Sequence, residues 1–413
     1  MNRRLTPRLA GVLALLAFVG CQTHESGVTP EVEVRSSTAD GGSPRFDESV
    51  LNNVGLETHW YNPRDEERGV VRNALLREEG LFVSTFPSET LPARLKLMKR
   101  DDGFAKWFYD LDGTLNAEPS VYRYPAQGAG TNDEVFLVLN DVVHCLSLDW
   151  GELLWKRRTP FSVSTAIVAD EQRFFAGSDN GRVYGVLKNA SLDDWTYLTG
   201  SFVEADPVVG QSSVFAGSTD GRVYRFSGTA GFRPGFSWDY DTGASIVANP
   251  VVFSRWVFIG STSYKLYCID AITGSVVWEF LAEAPVVDEP VIYSHQAGKE
   301  FVFVIGADKG RNSRTLFCLR SRDGVPEWEF EGIRKVVSLG RQNVYLLTDQ
   351  ASTGKRELIS VDLASGEEKF RLAVDERFKY VPTNLADFGR NQKERGKIYF
   401  VAENGAMQTI GER

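Results

Sequence analysis

A short apolar segment with an aromatic second residue recurs eight times along this chain of 413 residues. The second residues lie 39 to 54 positions apart and are Phe82, Phe136, Phe175, Phe215, Phe258, Phe303, Tyr345 and Tyr399. A repeat of roughly this period indicates an array of similar units, because one unit cannot bury its apolar face alone and must pack on its neighbours. The repeat therefore predicts one closed or stacked assembly rather than two or three unrelated domains.

A second strand-like segment, centred on an aromatic residue, also recurs eight times. These residues are Trp60, Trp107, Trp155, Trp195, Trp238, Trp278, Trp328 and Phe370. Turns such as Asp179-Asn180-Gly181 and Asp220-Gly221 separate the strands, because Asn and Gly accept positive φ. Each unit then holds about four short strands, as in a propeller blade. The sequence predicts an all-β fold, an eight-bladed β-propeller of four-stranded antiparallel blades.

The two patterns are out of phase at the chain ends. The strand of Trp60 precedes the first apolar segment, and the last apolar segment, at Ile398, has no aromatic strand after it. We expect residues 56–62 to complete the last blade beside residues 395–411, which closes the ring and pairs both chain ends. An open array of separate hairpins is the alternative, but equal counts of both strand types favour the ring.

The first twenty residues have the pattern of a secretory signal peptide. Three arginines precede an apolar run from Leu9 to Val19, which is too short to span a bilayer. Cys21 follows a glycine at the end of this run, an arrangement that resembles the bacterial lipobox. The resemblance implies an acylated Cys21 at the mature N-terminus, and Gln22 after it favours the outer membrane. A plain signal peptide with a chance cysteine is the alternative.

Three regions follow from these patterns. Residues 1–20 are the predicted signal peptide, residues 21–50 the acylated cysteine with a flexible tether, and residues 51–413 the propeller. Loss of the signal peptide removes three arginines and shifts the formal net charge from −9 to −12. This charge argues against a nucleic-acid partner, because phosphate binding needs clustered Lys and Arg.

The repeat itself resembles that of quinoprotein-type propellers. The string from Leu266 to Trp278, LYCIDAITGSVVW, is similar to their LYALDxxTGxxxW pattern, and the units ending at Trp155 and Phe370 match in part. The resemblance covers about residues 56–411. It implies the fold, while such propellers include both enzymes and scaffolds.

The enzyme branch of that family binds pyrroloquinoline quinone and calcium, typically with adjacent cysteines. No such pair occurs here, and we interpret Cys145, Cys268 and Cys318 as packing residues in one repeated strand. The histidines are isolated, and the sequence contains no G-x-S-x-G or phosphate-loop motif. We therefore expect no catalytic residue, bound metal or cofactor, and we interpret the Trp series as docking residues between blades.

The signal, tether and blade count together resemble the BamB family of outer-membrane barrel assembly lipoproteins. The runs from Gly177 to Val183 and from Lys397 to Gly405 are similar to that family's sequences. The resemblance implies a non-catalytic scaffold on the periplasmic face of the outer membrane that binds a barrel-assembly subunit. In that contact it places Phe161 at an apolar position and Glu204 at an acidic one.

Two other functions stay open at this point. One is a PQQ-dependent or vestigial quinoprotein dehydrogenase, and the other is a propeller that binds an envelope polysaccharide. Strand capping is the alternative role for Phe161 and Glu204.

Overall fold

The computed structural model describes residues 43–63, 69–87, 91–124, 132–190, 193–227, 235–296, 299–307, 314–348, 355–384 and 392–413. Within these residues, 32 strands form eight four-stranded antiparallel sheets, accompanied by the helix α1 (Glu48–Asn53) and a 3-10 turn (Gln392–Glu394). The predicted eight-bladed propeller is confirmed. The first strands of blades 2 to 5 contact one another in succession around a central channel.

Seven blades are formed by consecutive strands. Blade 1 comprises β2 (Val71–Arg77), β3 (Gly80–Thr85), β4 (Arg94–Met98) and β5 (Ala105–Asp110). Blade 2 comprises β6 (Ser120–Tyr122), β7 (Glu134–Leu139), β8 (Val142–Ser147) and β9 (Leu153–Arg158). Blade 3 comprises β10 (Val168–Ala169), β11 (Arg173–Gly177), β12 (Arg182–Leu187) and β13 (Asp193–Leu198). Blade 4 comprises β14 (Val208–Gly210), β15 (Ser213–Gly217), β16 (Arg222–Ser227) and β17 (Gly235–Asp241).

The remaining blades continue in the same order. Blade 5 comprises β18 (Val251–Phe253), β19 (Trp256–Ser261), β20 (Lys265–Asp270) and β21 (Val276–Leu281). Blade 6 comprises β22 (Val291–Gln296), β23 (Lys299–Ala307), β24 (Arg314–Arg320) and β25 (Pro326–Glu331). Blade 7 comprises β26 (Ile333–Leu339), β27 (Asn343–Thr348), β28 (Glu357–Asp362) and β29 (Glu368–Ala373). Blade 8 comprises β30 (Phe378–Tyr380), β31 (Ile398–Ala402), β32 (Met407–Glu412) and β1 (Leu56–Asn62).

Blade 8 joins the two ends of the chain, as expected. Strand β1 pairs antiparallel with β32, with Leu56 opposite Glu412 and Asn62 opposite Met407. The N-terminal strand is thus the outermost strand of the last blade. Ring closure therefore depends on backbone hydrogen bonds between segments about 350 residues apart in sequence.

The part of the chain that packs on the ring includes residues before the expected boundary at residue 51. Phe46 is buried, and its ring stacks on Phe378 at a centroid distance of 5.7 Å and meets Phe400 edge-on. Helix α1 follows, with the Asp47 side chain accepting a hydrogen bond from the Ser49 N–H as N-cap. Residues 44–50, which we assigned to the tether, therefore pack against blade 8.

Each blade places its repeated residues in one cross-strand row. In blade 5, Phe258 on β19 lies opposite Cys268 on β20, which lies opposite Trp278 on β21. Cys145, Cys268 and Cys318 all occupy this third-strand position, and all three are buried free thiols. Burial raises the pKa of Cys268 to about 12, so this thiol stays neutral.

The outer tryptophans lie between blades. Trp278 Nε1 donates a hydrogen bond of 2.8 Å to the carbonyl of Ser321 in blade 6, and Trp328 makes the same contact with Leu363 in blade 7. The indole of Trp278 also packs over Gly324 in the turn of blade 6. This residue has a φ of +69°, and a Cβ at this position would overlap the ring. One repeated residue thus joins each of these blades to the next.

Every outer strand carries a β-bulge one residue before its aromatic residue. In blade 2, for example, Cys145 pairs with Trp155 and Leu146 pairs with Leu153, so that Leu154 has no partner. The same shift occurs in the other seven blades. Bulges twist a free edge and oppose edge-to-edge pairing, which keeps the blade rims from adding strands.

Alternating strand directions give the ring two distinct faces. The connection face carries the links between blades and the hairpins between second and third strands, as shown by the 2.8 Å hydrogen bond from Thr199 N to Gly181 O. The turn face carries the other two sets of loops, as shown by the 2.8 Å hydrogen bond from Ala271 N to Arg255 O.

Candidate functional site

Four consecutive links on the connection face share one framework. They span residues 159–167, 199–207, 242–250 and 282–290. The first residue of each of the first three links is a buried threonine. In the second link, Thr199 Oγ1 lies 2.8 Å from the Gly181 carbonyl of the adjacent hairpin and 2.6 Å from the Ser201 carbonyl. Threonine is suited to this place, because its short hydroxyl satisfies main-chain groups of the loop.

A buried aliphatic residue anchors the middle of each link. The four anchors are Val163, Val203, Ile246 and Val286. The N–H groups of Val203 and Ile246 donate to the carbonyls of Ser178 and Ser218, at 3.2 and 3.1 Å, in the hairpins of their own blades. The residues that flank each anchor are therefore presented from a rigid support.

The second link exposes an aromatic and an acidic side chain on either side of its anchor. Phe202 is 52% exposed, and Glu204 is exposed as well. Val287 of the fourth link is another exposed apolar residue on this face. An exposed ring beside a carboxylate, both held by buried neighbours, is an arrangement suited to protein docking.

Phe161, the predicted apolar contact residue, does not lie on the exposed surface of the second link but is buried in the first link. It is only 7% exposed, and its ring stacks on Tyr184 with centroids 3.5 Å apart. Relative to the anchors Val163 and Val203, Phe161 corresponds to Ser201, while Phe202 corresponds to the exposed Ser162. The two predicted contact residues thus lie in neighbouring links, with Glu204 at the surface and Phe161 in the core of the ring.

A second group, which sequence reasoning missed, lies where the links enter the channel. The group consists of an acid or amide that directly precedes a proline, and each proline directly precedes the inner strand of a blade. Its members are Glu118, Asp206, Asn249 and Glu289. Asp206 Oδ1 accepts a 2.7 Å hydrogen bond from the Ala166 N–H of the preceding link. The Asn249 amide donates to both Asp206 and Glu289, at 3.3 and 3.2 Å. The recurring acid or amide before proline was the available sequence signal.

This channel collar, defined as Glu118, Asp206, Asn249 and Glu289, has a distinct electrostatic character. Enclosure by the channel wall raises the pKa of each of its three carboxyl groups, and nearby Arg77 opposes the rise. Arg77 lies 3.3 Å from Glu118. Enclosure also lowers the pKa of Lys335, on the inner strand of blade 7, to about 8. The collar therefore links blades through polar contacts and carries excess negative charge.

The described channel residues do not fit a PQQ-type quinone. Such a cofactor carries three carboxylates of its own, which the acidic collar would repel. The repeated tryptophans lie between blades and offer no stacking surface in the channel. The cavity of about 230 Å³ between blades 1 and 2, lined by residues that include Leu75, Phe82 and Glu118, is smaller than the roughly 300–1,000 Å³ typical of small-molecule sites.

Three histidines lie on described strands. His59, His144 and His295 belong to strands of three different blades, and His144 is hydrogen-bonded to the Tyr109 hydroxyl at 2.9 Å. Among the residues that the structure describes, no group of three or more His, Cys, Asp or Glu side chains could hold a metal ion.

The predicted lipidation site is outside the described ranges. Cys21 and the signal segment 1–20 are not among them. Within the part of the chain that is described, no helix has the length and apolar character needed to cross a membrane.

Comparison with known proteins places this ring in a family. A family model described as outer membrane protein assembly factor BamB matches residues 93–234 and 235–410, most of the propeller. The chain belongs to the BamB family. No curated protein sequence matches it. The expected family resemblance is therefore confirmed by the sequence model.

Solved structures similar to this BamB-family chain share its fold. BamB from Moraxella catarrhalis matches with a TM-score of 0.60 and 14% identity, over 86% of this chain and 97% of that one. The computationally designed Ika8 protein matches with a TM-score of 0.58 and 12% identity, over 86% and 99%. The quinohemoprotein alcohol dehydrogenase ADHIIG from Pseudomonas putida HK5 matches with a TM-score of 0.56 and 10% identity, over 90% and 78%. At these identities the likeness shows the fold alone.

Proposed function

We propose that this chain is a non-catalytic lipoprotein scaffold on the periplasmic face of the outer membrane. In this role Cys21 carries the acyl anchor, and the ring assists the assembly of β-barrel proteins by binding a barrel-assembly subunit. The observation that carries the proposal is the exposed pair Phe202 and Glu204 on a link held by Thr199 and Val203. Membership in the BamB family supports it.

The chemistry of this surface defines the partner. Phe202 would insert into an apolar pocket, and Glu204 would meet a basic group at its rim. Aromatic residues supply much of the energy of such interfaces, while charges at the rim mainly affect the association rate. The rigid framework beneath both residues means that little conformational entropy is lost on binding.

Affinity purification from detergent-solubilised envelope tests the proposal. The full chain with Cys21 intact should recover a barrel-assembly subunit. Phe202→Ala and Glu204→Lys should each reduce the recovered subunit severalfold. Phe104→Ala and Glu367→Lys are matched controls, because both residues are exposed on the turn face, and these variants should recover as much as the parent.

Two results would count against the proposal. If the parent recovers no barrel-assembly subunit, the scaffold function is wrong. If the parent recovers it and the Phe202 and Glu204 variants do so equally well, the docking surface lies elsewhere on the ring. Thermal unfolding of each variant shows whether the fold is retained.

A further inference from the structure

Blade 2 carries an exposed apolar and basic strip at its outer rim. Trp150, in the turn between β8 and β9, is 74% exposed, the highest value for a large apolar side chain among the described residues. Leu153 and Leu154 at the start of β9 are also exposed. Lys156 and Arg158 follow with exposed side chains. We call these five residues the blade-2 rim strip.

The charge of the strip differs from that of the whole chain. The chain has a formal net charge of −9, yet residues 156–158 are three consecutive basic residues. Arg157 holds the strand in place, because its guanidinium donates to the carbonyl oxygens of Leu187 and Lys188 in blade 3, at 2.6 and 2.8 Å. Lys156 and Arg158 are the exposed cations. Lys156 also pairs with Asp112, just after blade 1, at 3.3 Å, so Arg158 is the main positive charge that the strip offers to a ligand.

We propose that the blade-2 rim strip binds an anionic lipid surface. Trp and Leu side chains partition into the boundary between lipid headgroups and acyl chains, and Lys and Arg are attracted to anionic headgroups. Arg158 lies four positions after Leu154, a distance of about 13 Å along a strand. The apolar end can therefore enter the lipid while the basic end meets the phosphates.

The shape of the rim favours a lipid surface over a protein partner. Trp150 lies in the turn between β8 and β9 and is 74% exposed, so most of its ring contacts solvent and not a pocket wall. The bulge at Leu154 interrupts the free edge of β9, which opposes the addition of a partner strand. A deformable lipid interface requires neither a pocket nor a straight edge.

Blade 5 supplies an internal comparison. Val276 and Val277 occupy the positions of Leu153 and Leu154 and are also exposed, and Val277 is the bulged residue. Glu279 stands in the place of Lys156 and pairs with Lys265 at 2.7 Å. Leu281 stands in the place of Arg158. This rim has similar apolar content but no cation at either position, so it should not bind anionic lipid.

Vesicle flotation tests the proposal with the chain from residue 22 onward, which contains every described residue and lacks Cys21. Vesicles of phosphatidylglycerol and phosphatidylethanolamine are compared with phosphatidylcholine vesicles at low salt. The parent should float with the anionic vesicles. Arg158→Glu should weaken binding by about 25-fold, because it changes the charge by two units and each unit is worth roughly fivefold. Trp150→Ala should weaken it by roughly tenfold.

Val277→Ala is the matched control and should bind like the parent. Three outcomes would overturn the proposal: equal binding of the parent to both kinds of vesicle, unchanged binding by the Trp150 and Arg158 variants, or an equal loss in the Val277 variant. Binding of the strip to an acidic, leucine-containing peptide without any vesicle binding would assign it to a protein partner instead. Because the tested chain lacks Cys21, failure here leaves the proposed docking of a barrel-assembly subunit intact.

Discussion

Arg100 donates a hydrogen bond of 2.9 Å to Glu394 across the seam between blade 1 and blade 8, and both side chains are buried. The same carboxylate accepts hydrogen bonds from the Tyr399 hydroxyl at 2.6 Å and from Lys397 at 2.8 Å. Trp60 crosses this seam as well, donating to the Arg100 carbonyl at 2.7 Å. The place where the first and last blades meet is thus held by a buried charged network in addition to strand pairing.

Glu394→Ala should destabilise the ring strongly. Removal of the carboxylate leaves the Arg100 guanidinium buried without its anion, a change that costs about 3–5 kcal/mol. Urea unfolding followed by circular dichroism measures the loss. Glu279→Ala is the control, because its ion pair with Lys265 lies at the surface, where solvent screens it, and the variant should be destabilised far less. Equal losses in the two variants would show that the seam network adds no stability.

The same carboxylate should make stability depend on pH. Burial by itself raises the pKa of Glu394, but hydrogen bonds from Lys397 and Tyr399 and the charge of Arg100 outweigh it, so the pKa lies below its ordinary value. A lowered pKa in the folded state contributes stability above the unfolded pKa of about 4.3, and this contribution is lost as the pH falls through the folded pKa.

Thermal unfolding from about pH 6 to pH 3 checks this dependence. The Tm of Glu394→Gln should fall less steeply with decreasing pH than that of the parent, because the variant has no carboxylate to protonate. Parallel Tm curves for parent and variant would contradict the assigned role.

Phe46→Ala should destabilise blade 8 although the residue precedes every strand. The ring is buried against Phe378 and Phe400, and its loss should cost about 3–5 kcal/mol. Phe104→Ala removes an exposed ring and should change the free energy of unfolding by less than about 0.5 kcal/mol. Chemical denaturation of both variants gives the comparison, and a small effect at Phe46 would mean that residues 43–53 do not belong to the folded ring.

Substitutions at two glycines measure the cost of backbone strain separately from the cost of a clash with an indole ring. Gly243 and Gly274 both have positive φ, +80° and +74°, but a Cβ on Gly243 meets nothing within 4 Å, whereas one on Gly274 would lie 2.7 Å from Trp238. Gly243→Ala should therefore cost about 1–2 kcal/mol for the left-handed backbone alone. Gly274→Ala should reduce the free energy of unfolding clearly more, because the new Cβ in blade 5 also displaces the indole of Trp238, which extends from blade 4. Similar urea midpoints for the two variants would show that the indole contact adds nothing.

Much of the ring could be predicted from local patterns. The apolar segments around Phe258 and its seven equivalents all form second strands, and the strands around Trp278 and its equivalents all form outer strands. These predictions succeed because each pattern repeats eight times, so one misassigned segment stands out against the others. The phase of the two patterns also predicts the pairing of β1 with β32.

The surface could not be predicted in the same way. Phe161 and Phe202 lie in equivalent links and are both phenylalanines, yet one stacks on Tyr184 and the other faces solvent. Their difference is one position relative to the buried anchors Val163 and Val203. Such a shift is invisible without the contacts that fix the loop, because links between strands have no hydrophobic period to align.

The sequence by itself determined the number of blades, the strand content of each blade and the way in which the ring closes, because these follow from a periodic pattern of apolar residues and turns. Only the tertiary structure decided which residues meet across blades. The Arg100–Glu394 pair and the channel collar both join residues from separate parts of the chain. Contacts of this kind depend on how eight similar units are placed around one axis, and no single unit encodes that placement.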